Sequence, residues 1–180
     1  MTKRYIFAGF GGQGMLLIGK FVAMANMLEG KHVSWLPSYG PEMRGGTANC
    51  SVIVSDEPIG SPIVHQADAI VAMNLPSMLK FESEVKPGGV LVVNSSLIDR
   101  KCDRDDIKVI KVPATDIANK LDNHRGTNII MLGALAGASD LYDVDHVREG
   151  MNHYFEKKGK NNPKNVAAFD AGAEAAQAQL

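Results

Sequence analysis

Arg4-Tyr5-Ile6-Phe7-Ala8-Gly9-Phe10-Gly11-Gly12-Gln13-Gly14-Met15 runs from a short apolar stretch through a cluster of glycines into a second, longer apolar stretch. Residues 4–8, bounded by Gly9, read as a buried strand. Residues 15–28 read as a helix that ends at Gly30. Its apolar residues go nearly all the way round, so burial on more than one side is expected. A strand, a glycine loop and a helix in that order point to an α/β fold.

The rest of the chain continues the alternation. Residues 32–36 read as a strand stopped by Pro37, residues 38–46 as a loop by their Gly and Pro content, and residues 47–55 as a strand with one wetter face. An apolar strand over 68–73 precedes a short helix with Pro76 in its first turn. Pro87-Gly88-Gly89 reads as a turn, with strands over 90–94 and 107–112 beyond it. Helices are expected over 115–121, 128–138, 144–157 and from about 166, with residues 157–165 joining the last two. The pattern predicts one Rossmann-like, three-layer domain over 1–180, a mostly parallel sheet with helices on both faces.

Gly9-Phe10-Gly11-Gly12-Gln13-Gly14 satisfies Gly-x-Gly-x-x-Gly between a strand and a helix, the context in which that motif carries meaning. Glycines allow a tight turn and close approach of backbone N–H groups to a phosphate at the positive end of the helix. Gly9, Gly11, Gly12, Gln13 and Gly14 are therefore candidate anion-binding residues; the alternative is that the glycines serve helix–sheet packing. A nicotinamide dinucleotide site also needs a carboxylate at the end of the second strand. Here that strand ends Trp35-Leu36-Pro37-Ser38, which argues against NAD. No Gly-Lys-Ser or Gly-Lys-Thr follows the glycines, which excludes a P-loop, and no Ser sits in Gly-x-Ser-x-Gly.

A second unusual segment is Tyr39-Gly40-Pro41-Glu42-Met43-Arg44-Gly45-Gly46. In open α/β sheets the loops after the strand carboxyl ends line the ligand crevice, so this loop and the glycine loop should share a rim. Arg44 is the strong anion-binding side chain of that rim, and its planar fork suits carboxylate or phosphate. Tyr39, Glu42 and Arg44 are candidates for anchoring a partner surface, with an exposed Glu42–Arg44 ion pair of little energetic consequence as the plain alternative.

Bulk properties exclude several classes. A net charge of −1 with interspersed signs gives no electrostatic footprint for nucleic acid or an anionic membrane. The apolar stretch over 15–28 is broken by Gly19, Lys20 and Asn26, too short for a bilayer span, and the N-terminus lacks signal-peptide features, so a cytoplasmic location is expected. Cys50 and Cys102 stand far apart without Cys-x-x-Cys, and the five His residues lack metal-ligand spacing, so this chain offers no metal or iron–sulfur ligand set. It offers no catalytic residue either.

Gly-Phe-Gly-Gly-Gln-Gly at 9–14, Pro-Ser-Tyr-Gly-Pro-Glu-Met-Arg-Gly-Gly at 37–46, Ser-Val-Ile-Val-Ser-Asp at 51–56 and Asn-Ile-Ile-Met-Leu-Gly-Ala-Leu at 128–135 together resemble the γ subunit of 2-oxoacid:ferredoxin oxidoreductases. The wording from Trp35 to Glu42 resembles the 2-oxoglutarate and branched-chain branches more than the pyruvate branch. The resemblance implies an enzyme of several chains that decarboxylates a 2-oxoacid, passes electrons to ferredoxin and delivers the acyl group to coenzyme A. Thiamine diphosphate and magnesium would then belong to α and β partner chains, and iron–sulfur clusters to the β chain or a ferredoxin-like δ chain, with none bound by this chain alone. Its own part would be structural, bordering the acyl-acceptor path, and the isolated chain would be inactive and prone to self-association. The competing reading is a stand-alone module that binds a phosphate- or CoA-type ligand through the glycine loop.

Overall fold

The computed structural model describes residues 1–39, 46–138 and 143–180. Glu42 and Arg44 lie outside the described residues. The elements run β1 (Thr2–Phe10), α1 (Met15–Leu28), β2 (His32–Tyr39), β3 (Thr47–Ser55), β4 (Ala67–Ala72), α2 (Leu75–Phe81), a 3-10 turn (Glu82–Glu84), β5 (Val85–Asn94), β6 (Lys108–Val112), α3 (Ala114–Lys120), α4 (Thr127–Ala138), α5 (Val144–Lys157) and α6 (Pro163–Gln177).

The six strands form one sheet in the order β2-β3-β1-β4-β5-β6. β1, β4, β5 and β6 pair in parallel, while β3 lies antiparallel between β1 and β2. The α/β expectation of a mostly parallel sheet holds, with one departure. β2 does not sit beside β1, as a simple βαβ unit would have it. The chain turns back after β2, and β3 fills the place next to β1, leaving β2 at the edge. Trp35 pairs with Val52 and not with a residue of β1, so the end of β2 stands away from the glycine loop's own strand.

Side chains alternate cleanly across the sheet. Tyr5, Phe7, Ala69, Val71, Val90, Val92, Cys50 and Val52 point to one face, where α1, α3, α4, α5 and α6 pack. Ile6, Ala8, Ile70, Ala72, Leu91, Val93 and Ile53 point to the other, covered by Met78 and Phe81 of α2 with Val64, Ile98 and Cys102 from irregular segments. Helices lie on both faces, but unevenly.

Two expectations are corrected. β2 passes through Pro37 to Tyr39, because an edge strand can lack an N–H without breaking an inner ladder. Pro87-Gly88-Gly89 is not a free turn: β5 begins at Val85, and the register against β4 shifts between Ala67 and Ala69. Gly88, at φ 76°, makes that kink, and its N–H donates to Asp106 O at 2.8 Å. Helix α4 belongs wholly to the core, since all residues from Asn128 to Ala138 are buried. No helix among the described residues is long and apolar enough to cross a membrane.

Candidate ligand crevice and its glycine loop

The glycine loop leaves the carboxyl end of β1 and turns directly into α1. Gly12 and Gly14 take left-handed φ values of 90° and 74°, which an L side chain resists. Gly14 is the cap of α1 and contributes no side-chain acceptor, so the first N–H groups of the helix are free of a capping side chain. Among the described residues, no backbone acceptor reaches the N–H groups of Met15, Leu16 and Leu17.

The six residues divide their work. A Cβ on Gly14 would lie 2.3 Å from Asn128 Nδ2, and one on Gly9 would lie 2.8 Å from Gln13 Oε1 and 2.9 Å from Met15 Cγ. Close packing therefore explains Gly9 and Gly14. A Cβ on Gly12 would meet nothing within 4 Å, so Gly12 is required by its backbone angle and faces open space. Gln13 turns inward: its Oε1 accepts from Phe10 N at 2.6 Å and from Asn74 Nδ2 at 2.8 Å. It is a latch that holds the loop closed.

The described ends of the second loop, Tyr39 and Gly46, lie beside the glycine loop. Gly11 N donates to Gly46 O at 2.9 Å, joining the glycine loop to the segment before β3. Tyr39, about half exposed, stands beside it. Between them is a mostly apolar cavity of about 270 Å³, bounded by Phe10, Leu16, Leu17, Tyr39 and Thr47. On the other side of Gly12 and Gly14 lies a more polar cavity of about 510 Å³, bounded by Met73, Thr115, His124, Arg125 and Thr127.

Carboxamides brace the elements around the second cavity. Asn94 is fully buried; its Oδ1 accepts from Ala114 N at 3.1 Å and its Nδ2 donates to Thr115 Oγ1 at 3.1 Å. Asn74 caps α2, accepting from Ser77 N at 3.0 Å. Asn128 Nδ2 donates to Gly14 O at 3.3 Å and so ties the start of α4 to the glycine loop. The ends of β1, β4 and β5 are thus fixed before any ligand arrives, which favours binding without reorganisation.

His124 and Arg125 are exposed residues that sequence reading missed as part of this rim. They lie more than a hundred residues from the glycine loop, and no local pattern announced them. The one signal was Asn128, which stands three residues after Arg125 in a helix start already notable for its wording.

The thiols carry no chemistry here. Cys50 belongs to the helix-rich face and Cys102 to the other, so the two cannot share a ligand. Burial pushes the Cys50 thiol up to about 12 and raises Cys102 as well. Among the described residues, no three His, Cys, Asp or Glu side chains come together as a metal-binding group.

Residues 4–175 match the family described as pyruvate ferredoxin/flavodoxin oxidoreductase. The ketoisovalerate oxidoreductase subunit VorA of Methanothermobacter marburgensis is 38% identical over 179 residues, covering 98% of this chain and 37% of that protein. The γ subunit of a keto/oxoacid ferredoxin oxidoreductase from Geobacter sulfurreducens superposes with a TM-score of 0.82 at 29% identity, covering 98% of this chain and 99% of that one. A 2-oxoglutarate:ferredoxin oxidoreductase from Magnetococcus marinus, solved with 2-oxoglutarate, coenzyme A and succinyl-CoA, superposes at 0.86 with 25% identity, over 99% of this chain and 32% of that one. This chain therefore spans little more than a third of the VorA relative's length.

Proposed function

Because this chain belongs to the pyruvate ferredoxin/flavodoxin oxidoreductase family, we propose that it works as the γ-type component of a 2-oxoacid:ferredoxin oxidoreductase. The observation that carries the proposal is the family match over residues 4–175, together with a solved γ subunit that aligns with both chains over nearly their full lengths. The overall reaction converts a 2-oxoacid and coenzyme A to an acyl-CoA and CO2, with two electrons passing to ferredoxin. The VorA and 2-oxoglutarate relatives favour a branched-chain 2-oxoacid or 2-oxoglutarate as substrate.

Thiamine diphosphate with magnesium, held by α and β chains, would supply the carbanion chemistry, and iron–sulfur clusters on the β chain or a δ chain would carry the electrons to ferredoxin. The thiols of this chain do not fit a cluster: they are split between two faces of the sheet and both are buried. The contribution of this chain is binding and orientation. The first N–H groups of α1, the open backbone at Gly12, and the cationic side chains of Arg125 and Arg44 suit the phosphates of coenzyme A. The apolar cavity beside Tyr39 suits an uncharged part of the same molecule. Tyr39 at the rim, with Glu42 and Arg44 in the sequence just after it, would serve as anchors for a partner chain. A cytoplasmic location fits this redox chemistry.

The test is to tag the full chain, purify it anaerobically from its host and assay CoA-dependent, 2-oxoacid-driven reduction of a low-potential dye. Co-purifying thiamine- and cluster-bearing chains with activity are the expected result, and the preferred oxoacid then names the substrate. In that complex, Arg125→Gln is expected to raise the KM for coenzyme A by roughly tenfold while leaving that for the oxoacid unchanged. A chain that purifies alone, inactive, yet binds coenzyme A would instead support the stand-alone module.

A further inference from the structure

Asn94 has no freedom in how its amide is placed. It is fully buried at the end of β5, and both its acceptor and its donor positions are used. Oδ1 accepts from Ala114 N at 3.1 Å and from Ser96 N at 3.3 Å. Nδ2 donates to Thr115 Oγ1 at 3.1 Å and to Met73 Sδ at 3.2 Å. Turning the amide over would set its NH2 group against two backbone N–H groups, which can only donate. The direction of the Asn94–Thr115 bond is therefore fixed: the amide gives the proton and the hydroxyl receives it.

A hydroxyl that accepts in this way keeps its own proton for another partner. Among the described residues nothing receives that proton, since Thr115 donates in no hydrogen bond. Thr115 is half-buried and bounds the polar cavity of about 510 Å³ beside Gly12 and Gly14. Its Oγ1 is engaged by a buried amide on the protein side, which leaves the cavity as the place for the proton.

The groups around that cavity favour one kind of ligand atom. His124 and Arg125 bound it, and among the described residues no Asp or Glu does. Asp116, next to Thr115, is exposed, and its Oδ2 accepts from Ser96 Oγ at 3.0 Å. Gly12 and Gly14 bring the start of α1 to the same cavity. A helix start, a guanidinium and a hydroxyl of fixed direction suit an anionic oxygen that only accepts, and do not suit a cation.

We propose that Thr115 is a phosphate-contacting residue of this crevice, with Asn94 as the positioning residue that leaves its proton to the ligand. The proposal rests on the reading of the crevice as a coenzyme A site, and adds to it a neutral donor set in place before the ligand enters. A donor so preset needs no reorganisation on binding.

The experiment is steady-state kinetics of the purified complex with two variants. Thr115→Val keeps the shape of the side chain and removes the hydroxyl, whereas Thr115→Ser keeps the hydroxyl. Thr115→Val is expected to raise the KM for coenzyme A by roughly tenfold, with kcat and the KM for the oxoacid unchanged. Thr115→Ser is expected to stay within about twofold of the wild type. If Thr115→Val fails to assemble, Thr115→Ala is read in its place. An unchanged KM for coenzyme A overturns the proposal, and so does a rise that serine fails to rescue or that the oxoacid KM shares. A complex without CoA-dependent turnover would sink the coenzyme A reading by itself, and inorganic pyrophosphate is then titrated calorimetrically into the full chain. Weaker binding by Thr115→Val than by the wild type and Thr115→Ser would still support the phosphate contact, whereas equal binding, or none, overturns it.

Discussion

Five helices close the face of the sheet that carries Tyr5, Phe7 and Val92, whereas α2 and two irregular segments close the face that carries Ile6, Ala8 and Leu91. On the first face, small residues bring backbones into direct contact. A Cβ on Gly133 of α4 would lie 1.9 Å from Phe169 O of α6, and a Cβ on Gly172 would lie 1.9 Å from Ile130 O. A Cβ on Gly150 of α5 would lie 2.8 Å from the Ala25 Cβ of α1. On the second face, a long connection is tied down by polar side chains. Arg104 Nη1 donates to Glu82 O at 3.0 Å and to Val85 O at 2.5 Å, while its Nε donates to Asp106 Oδ1 at 2.8 Å. One face is closed by shape and the other by a few directed bonds. The two should therefore fail differently.

Gly133→Ala tests the first face most severely. Backbone oxygen cannot rotate away as a side chain can, so α4 and α6 must separate, and a loss of about 3 kcal/mol or more is expected. Urea denaturation should show a lower midpoint with an unchanged slope. A variant that melts with the wild type would mean that the helix backbones do not touch.

Arg104→Ala tests the second. Losing two charge-assisted bonds to backbone carbonyls is expected to cost about 1–2 kcal/mol. Location is the sharper readout. Both thiols are buried, and burial raises both, so each reacts with a thiol reagent only after the structure around it opens. Cys102 lies on the face that Arg104 pins, and Cys50 on the other. The variant should label Cys102 faster by about tenfold, while Cys50 should change only as global stability changes. Equal acceleration of both would show that the faces open as one unit.

The contrast explains what was legible in the sequence. Residues 4–28 announced strand, glycine loop and helix because each used strong local signals, and the approach of Tyr39 and Gly46 to the glycine loop followed from topology alone. The place of β2 at the edge did not, since the return of β3 beside β1 depends on which strand buries more apolar surface, a property of the whole sheet. Pro37 and Pro87-Gly88-Gly89 misled in the same direction: local breaker signals were absorbed by an edge strand and by a bulge. At the crevice, the glycines were visible, but Gln13 turning inward and Arg125 arriving from the α3–α4 connection were not.

The smallest expected effect lies on the rim of the helix-rich face, where that same connection meets α6. Asp122 has a positive φ of 49°, the one such non-glycine value among the described residues. Its Oδ2 and backbone O each accept from Lys164 Nζ at 2.8 Å. Lys164 beside it holds the Asp122 carboxyl below its ordinary range. A depressed carboxylate contributes stability that is present above its unfolded value, near 3.8, and lost as pH falls through its lower folded value. Asp122→Asn keeps the left-handed backbone, which Asn tolerates, and removes only the charge. At neutral pH the variant should melt slightly below the wild type, by an amount that shrinks with added salt, since the pair is exposed. As the pH is lowered past that window the two melting temperatures should converge, because the wild-type carboxyl is then neutral as well. A gap that persisted in acid would trace the loss to the backbone turn and not to the ion pair, and would place the tether between α4 and α6 in the φ of Asp122 itself.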